Sequence, residues 1–114
     1  MKKDIVKAKK NGLDIRSIVI VNPNNPTGSL LSRRNIEEVL DICYHQNILV
    51  IADEVYQNNV CMDGLRFESV RSILQTMPAN VRDNLELVSV NSISKGLLGE
   101  SGLRGGYMEM HNFD

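Results

Sequence analysis

The sequence predicts an α/β fold built on a mainly parallel sheet. Three observations predict it: short runs rich in Ile and Val, helical segments between those runs, and reactive side chains in the loops that follow them. The order strand, helix, strand, helix, strand implies right-handed crossovers, and these place successive strands parallel. The loops after such strands emerge along one edge of the sheet, where open α/β folds bind ligands.

The first helix is expected from Lys3 to Asn11, with Gly12 supplying a left-handed stop. Ser17 to Val21 reads as a strand buried on both faces, ended by Asn22 and Pro23. Ser32 is a good N-cap, and Leu31 and Ile36 are spaced to form a hydrophobic staple across it. Ile36, Val39, Leu40 and Cys43 then supply an apolar stripe, and Asn47 closes the helix. A second strand, Ile48 to Ala52, runs straight into Asp53 and Glu54. Val70, Ile73, Leu74 and Met77 repeat at helical spacing behind Ser69 and before Pro78, which predicts a second crossover helix. Leu85 to Val90 reads as a third strand, and Gly105 to Met110 as a fourth.

At 114 residues and 42% hydrophobic, the chain can bury one modest core, so one domain is expected and two are not. Its net charge of -1 conceals a basic start, in which Lys2, Lys3, Lys7, Lys9, Lys10 and Arg16 face only Asp4 and Asp14. No aromatic residue interleaves those lysines, and Ile5, Val6 and Ala8 among them suit a partly apolar helix better than a nucleic-acid arm. No apolar run approaches the roughly 20 residues of a membrane helix, and the start lacks the apolar core of a signal peptide. Neither nucleic acid nor membrane is therefore expected as a partner. Cys43 and Cys61 have no companion at metal-ligand spacing, so no metal site is expected and a reducing compartment is the default.

The three edge loops carry Asn25-Pro26-Thr27-Gly28, Asp53-Glu54-Val55-Tyr56 and Ser92-Ile93-Ser94-Lys95. A lysine beside two hydroxyls and upstream of a Gly-rich, Arg-containing segment suits an aldehyde cofactor with a phosphate handle. Lys95 would form the Schiff base, and Ser92, Ser94 and Arg104 would hold the phosphate, the guanidinium with its planar fork of donors. Asp53 at a buried strand end is costly unless paired, and a protonated ring nitrogen is a suitable partner. Tyr56 and Asn25 can both donate to a phenolate oxygen on the same ring. Taken singly, each has an ordinary reading: a turn Asp, a turn Asn-Pro, a half-buried Tyr, a solvated Arg.

Together, Asn25 to Gly28, Ala52 to Tyr56, and Ser92-x-Ser94-Lys95-Gly96 followed by Arg104-Gly105-Gly106-Tyr107 resemble the class I/II, fold-type I aminotransferases. The longer strings Val21 to Gly28, Ala52 to Val60 and Ser94 to Glu109 resemble the alanine aminotransferase branch, including the nine positions from Lys95 to Arg104. The resemblance implies pyridoxal 5′-phosphate as cofactor and Lys95 as the catalytic lysine that bonds it and moves the substrate proton. It likewise implies that Asp53 meets the pyridinium, Tyr56 and Asn25 the ring oxygen, and Ser92, Ser94 and Arg104 the phosphate. Glu100, Gly105 and Gly106 match subgroup positions to which no role is assigned.

Asn24, Cys61, Ile93 and Ser101 depart from the common pattern without removing a named contact. The regions expected to supply an earlier phosphate loop, a ring-stacking aromatic and a substrate-binding arginine have no match. Residues 1–114 are accordingly expected to be an internal fragment of the cofactor-binding large domain, with the small domain and N-terminal part absent. The fragment alone is expected to be inactive. The longer enzyme is expected to be a homodimer, cytoplasmic or mitochondrial, transferring an amino group between L-alanine and 2-oxoglutarate. The alternatives are another class I aminotransferase, of aspartate, aromatic or kynurenine type, a related lyase, or a non-catalytic truncated product.

Overall fold

The computed structural model describes residues 1–61, 63–97 and 99–113 of the chain. Helix α1 (Lys2–Lys10) is followed by strand β1 (Ser17–Val21), helix α2 (Arg33–Gln46), strand β2 (Leu49–Asp53), short helices α3 (Val70–Gln75) and α4 (Ala79–Arg82), and strands β3 (Leu87–Ser92) and β4 (Gly106–His111). The four strands lie side by side in sequence order, with β1, β2 and β3 parallel and β4 antiparallel to β3. The mainly parallel sheet predicted from the pattern is present, and its last strand reverses because no crossover helix stands between β3 and β4 among the described residues.

The local signals act where they were expected. The Ser32 side chain accepts a hydrogen bond from the Asn35 amide, and Asn47 ends α2 in the left-handed region at φ 52°. Gly12 takes φ +80° just after α1, the conformation a glycine allows without strain. The second crossover is split: Met77 lies outside α3, and α4 begins after Pro78. Leu85 likewise belongs to the turn that ends α4, where its amide bonds the Val81 carbonyl, so β3 starts two residues later than predicted.

The core lies between the sheet and the helices. Leu40, Cys43, Val50, Ala52, Val70, Ile73 and Leu74 are completely buried, joined by Ile5, Ile36 and Leu87. Strand alternation puts Val50 and Ala52 of β2 and Leu87 and Ser89 of β3 on this face. The opposite face carries Val19, Ile51, Val88 and Met110 in one register row and Val21, Asp53, Val90 and Met108 in the next. Asp53 thus ends β2 between two valines, directed away from the helices.

Candidate active site

The row Val21, Asp53, Val90 lies at the carboxyl ends of the three parallel strands and forms one wall of a cavity of about 880 Å³. Asn25, Tyr56, Ser92, Ser94, Lys95 and Arg104 line the same cavity. Every side chain expected to touch a cofactor is therefore brought to one place, from three loops far apart in sequence. Parallel pairing accounts for this, because it sends the loops after β1, β2 and β3 out along a single edge.

The Asn25 side-chain amide donates to the Tyr56 hydroxyl at 3.2 Å, so the two expected ring-oxygen donors are in contact with each other. One Asp53 carboxylate oxygen accepts the Val55 amide at 3.3 Å, a local turn that orients the carboxylate. Ser92 Oγ accepts from the Ser94 amide at 3.1 Å and donates to the Gly105 carbonyl at 3.2 Å. Arg104 Nη1 donates to the Ser101 carbonyl at 2.8 Å and reaches Ser94 Oγ at 3.4 Å. Serine and arginine donors are thus gathered beside Lys95, which is itself exposed toward the cavity.

Two glycines shape the wall. Gly96, at φ +70°, follows Lys95 and turns the chain back against the Val55 carbonyl. Gly106 has no room for a side chain, since a Cβ there would sit 2.6 Å from the Asn91 carbonyl oxygen. This close approach gives Gly106 the role that its place in the motif left undefined.

Sequence reasoning missed several contributors. Asn91 and Ser101 also line the cavity, and Ser101 Oγ donates to the Ser94 carbonyl at 3.1 Å. Val21 and Val90 supply its apolar wall, which period-2 alternation could have revealed, and Val55 adds to it from the turn after β2. Glu54, next to Asp53, faces the other way: it is buried on the helix side and its carboxylate accepts the Val70 amide at 2.7 Å. Burial pushes the Glu54 carboxyl above the ordinary range, partly opposed by that hydrogen bond. Among the described residues no group of His, Cys, Asp or Glu is arranged to hold a metal ion, and no helix is long and apolar enough to cross a membrane.

A cavity at the carboxyl edge of a mainly parallel sheet, lined by an amine, a carboxylate and a cluster of anion donors, defines an α/β protein with its candidate site at the strand ends. The chain belongs to the aminotransferase class I and II family, whose model matches residues 1–112. It is 41% identical over 112 residues to glutamate–glyoxylate aminotransferase 1 of Arabidopsis thaliana, covering 98% of this chain and 23% of that protein. It is also 41% identical over 113 residues to alanine aminotransferase 2 of Panicum miliaceum, covering 99% of this chain and 23% of the relative. An aminotransferase of Escherichia coli has the same fold over the whole chain, with TM-score 0.73 and 28% identity, and the chain spans 25% of it. The chain therefore spans about a quarter of the length of these relatives.

Proposed function

We propose that the cavity binds pyridoxal 5′-phosphate and that the residues belong to the large domain of a longer transaminase. The observation that carries this reading is the convergence of seven chemically matched residues on one cavity. The donor set fits the group. Asp53 is a carboxylate suited to a protonated ring nitrogen, Asn25 and Tyr56 offer donors for a ring oxygen, and Ser92, Ser94 and Arg104 offer them for a phosphate. Lys95 Nζ is the amine that takes an aldehyde covalently.

When bound, the cofactor supplies an electron sink for the bonds around an amino-acid α-carbon. The chain's own residues then have separate tasks. Lys95 Nζ would hold the aldehyde and, when free, would be the base placed to take and return the α-proton. Asp53, flanked by Val21 and Val90, holds a positive charge on the ring nitrogen in apolar surroundings where that attraction is weakly screened. Tyr56 and Asn25 would donate to the ring oxygen. Arg104 and the two serines anchor the phosphate, so that binding energy remote from the reacting carbon orients the ring.

For the longer enzyme the proposed reaction moves an amino group from L-alanine to 2-oxoglutarate, in a homodimer. Glutamate with glyoxylate is the second substrate pair, favoured by the matching relative of that name. The free thiols of Cys43 and Cys61 suit a reducing compartment such as the cytoplasm.

The direct test is to incubate the 114-residue chain with pyridoxal 5′-phosphate, reduce with borohydride and map the labelled peptide. Label at Lys95 that is lost in Lys95→Ala is the expected result. Label confined to Lys2, Lys3, Lys7, Lys9 or Lys10 would overturn the assignment.

A further inference from the structure

We propose that Asn22 and Glu54 are a matched pair of positioning residues, each tying a cavity loop to the segment that begins the next helix. The proposal rests on the cofactor reading above and extends it to two residues that do not line the cavity.

The two residues occupy equivalent places. Each stands immediately after a parallel strand, Asn22 after β1 and Glu54 after β2. Each is buried, at 1% and 6% exposure. Each donates its backbone amide to the neighbouring strand: Asn22 to the Asp53 carbonyl at 3.0 Å, and Glu54 to the Val90 carbonyl at 3.1 Å. Each then uses a side-chain oxygen to accept a backbone amide further on, Asn22 Oδ1 from Leu31 at 2.9 Å and Glu54 Oε1 from Val70 at 2.7 Å.

The two bonds close loops of different length at the same structural point. The Asn22 bond spans nine positions and encloses Asn25, and the Glu54 bond spans 16 and encloses Tyr56. Asn25 and Tyr56 are the pair that touch across the cavity mouth. The anchor of the longer loop is firm, because Val70 is fully buried with Ile73 and Leu74. The Glu54 carbonyl also accepts the Gln57 amide at 2.9 Å, so the turn bearing Tyr56 is fixed on both sides of residue 54. A buried polar side chain is costly unless it is hydrogen-bonded. Here two of them are satisfied by amides that set the position of cavity residues.

The test uses the ¹⁵N-labelled 114-residue chain, first without ligand and then with pyridoxal 5′-phosphate. In Glu54→Ala, hydrogen exchange at the Val70 amide should rise at least about tenfold, and the Asn25–Tyr56 contact should be lost from the nuclear Overhauser spectrum. Binding of the cofactor, followed by absorbance, should weaken about tenfold or more. Glu54→Gln keeps the acceptor and should restore both within about twofold. Glu54→Asp, too short to reach Val70, serves in place of the alanine variant if that one does not fold.

Asn22→Ala and Asn22→Asp should behave in the same way at the Leu31 amide. Ile48→Val, a buried core change at the opposite end of β2 from Glu54, should lower stability but leave cofactor binding within about twofold. Equal loss of binding in Ile48→Val, failure of Gln to restore, or an Asn25–Tyr56 contact that survives Glu54→Ala would each overturn the proposal. If the unaltered chain takes up no cofactor at Lys95, the cofactor reading fails. The positioning role is then decided by the contact alone, which must vanish in the alanine variant and return with glutamine.

Discussion

Replacing Gly106 by alanine should destabilise the chain, although glycine-to-alanine changes usually do the opposite. Gly106 opens β4 opposite Ser92, and a Cβ built there lies 2.6 Å from the Asn91 carbonyl oxygen, 0.8 Å inside the 3.4 Å at which ordinary contact begins. The obstacle is backbone, so no side chain can swing away; β3 and β4 must separate or bend. Overpacking of this kind costs about 1–3 kcal/mol. Restricting the unfolded chain returns only about 0.4–1 kcal/mol. The net loss is roughly 1–2 kcal/mol, a large share of the 5–15 kcal/mol typical of a domain.

Gly102 is the internal control, because a Cβ there meets nothing within 4 Å and its φ is not positive. Gly102→Ala should be neutral or stabilising by up to about 1 kcal/mol. In urea denaturation, with a slope of about 2 kcal/mol per molar, Gly106→Ala should lower the midpoint by about 0.5–1 M while Gly102→Ala should not lower it. Equal midpoints for the two variants would show that the close approach of β4 to Asn91 is not what fixes this glycine.

Two further outcomes follow from the acids at the end of β2. The Glu54 pKa is raised by burial, so the folded chain binds more protons there than the unfolded one above the ordinary value of 4.5. Its contribution is complete below that pH and lost as pH rises through the raised pKa; Glu54→Gln should remove this decline and gain relative stability toward neutral pH in pH-dependent urea curves. Arg71 and Glu109, which share the Glu54 cavity and pair with each other, are present in both proteins, and they cancel in the comparison. Asp53→Ala, placed in a chimera in which this chain replaces the aligned segment of an alanine aminotransferase, should lower kcat at least about a hundredfold with a smaller effect on cofactor binding. Part of that rate should return with a cofactor methylated on the ring nitrogen; near-normal activity without it would remove the role given to Asp53.

The parts legible in the sequence were those fixed by local chemistry. Ser32 caps α2 through the Asn35 amide only three residues away, and Asn47 can take its left-handed conformation unaided. β1 has the predicted bounds because Asn22 and Pro23 stop the apolar run. The split between α3 and α4 was hidden because Met77 keeps the helical spacing and stays partly buried against the core while lying outside the helix. Leu85 is buried in a turn for the same reason: apolar spacing reports burial and not backbone conformation. The reversal of β4 had no signal at all, since alternation is the same in either direction. In the candidate site, the order of the loop motifs pointed to Asp53, Lys95 and Arg104, whereas Asn91 and Ser101 line the cavity only through the return of the chain from β3 to β4.

The adjacent acids Asp53 and Glu54 show how sheet register decides chemistry. Both are carboxylates at the end of β2, and composition alone cannot say which would face a ring nitrogen. Successive side chains point to opposite faces, so only one can enter the cavity. Val50 and Ala52 are fully buried toward the helices, and their parity directs Asp53 to the open face and Glu54 to the helix face. A slip of one residue would exchange the acids, but it would also turn Val50 and Ala52 out of the core and bring Leu49, Ile51 and Asp53 into their places. Burying the Asp53 carboxylate there without a partner is strongly unfavourable, whereas Glu54 has one in the Val70 amide. The packing that holds the sheet together is thus the same constraint that assigns one acid to the cavity and the other to the scaffold behind it.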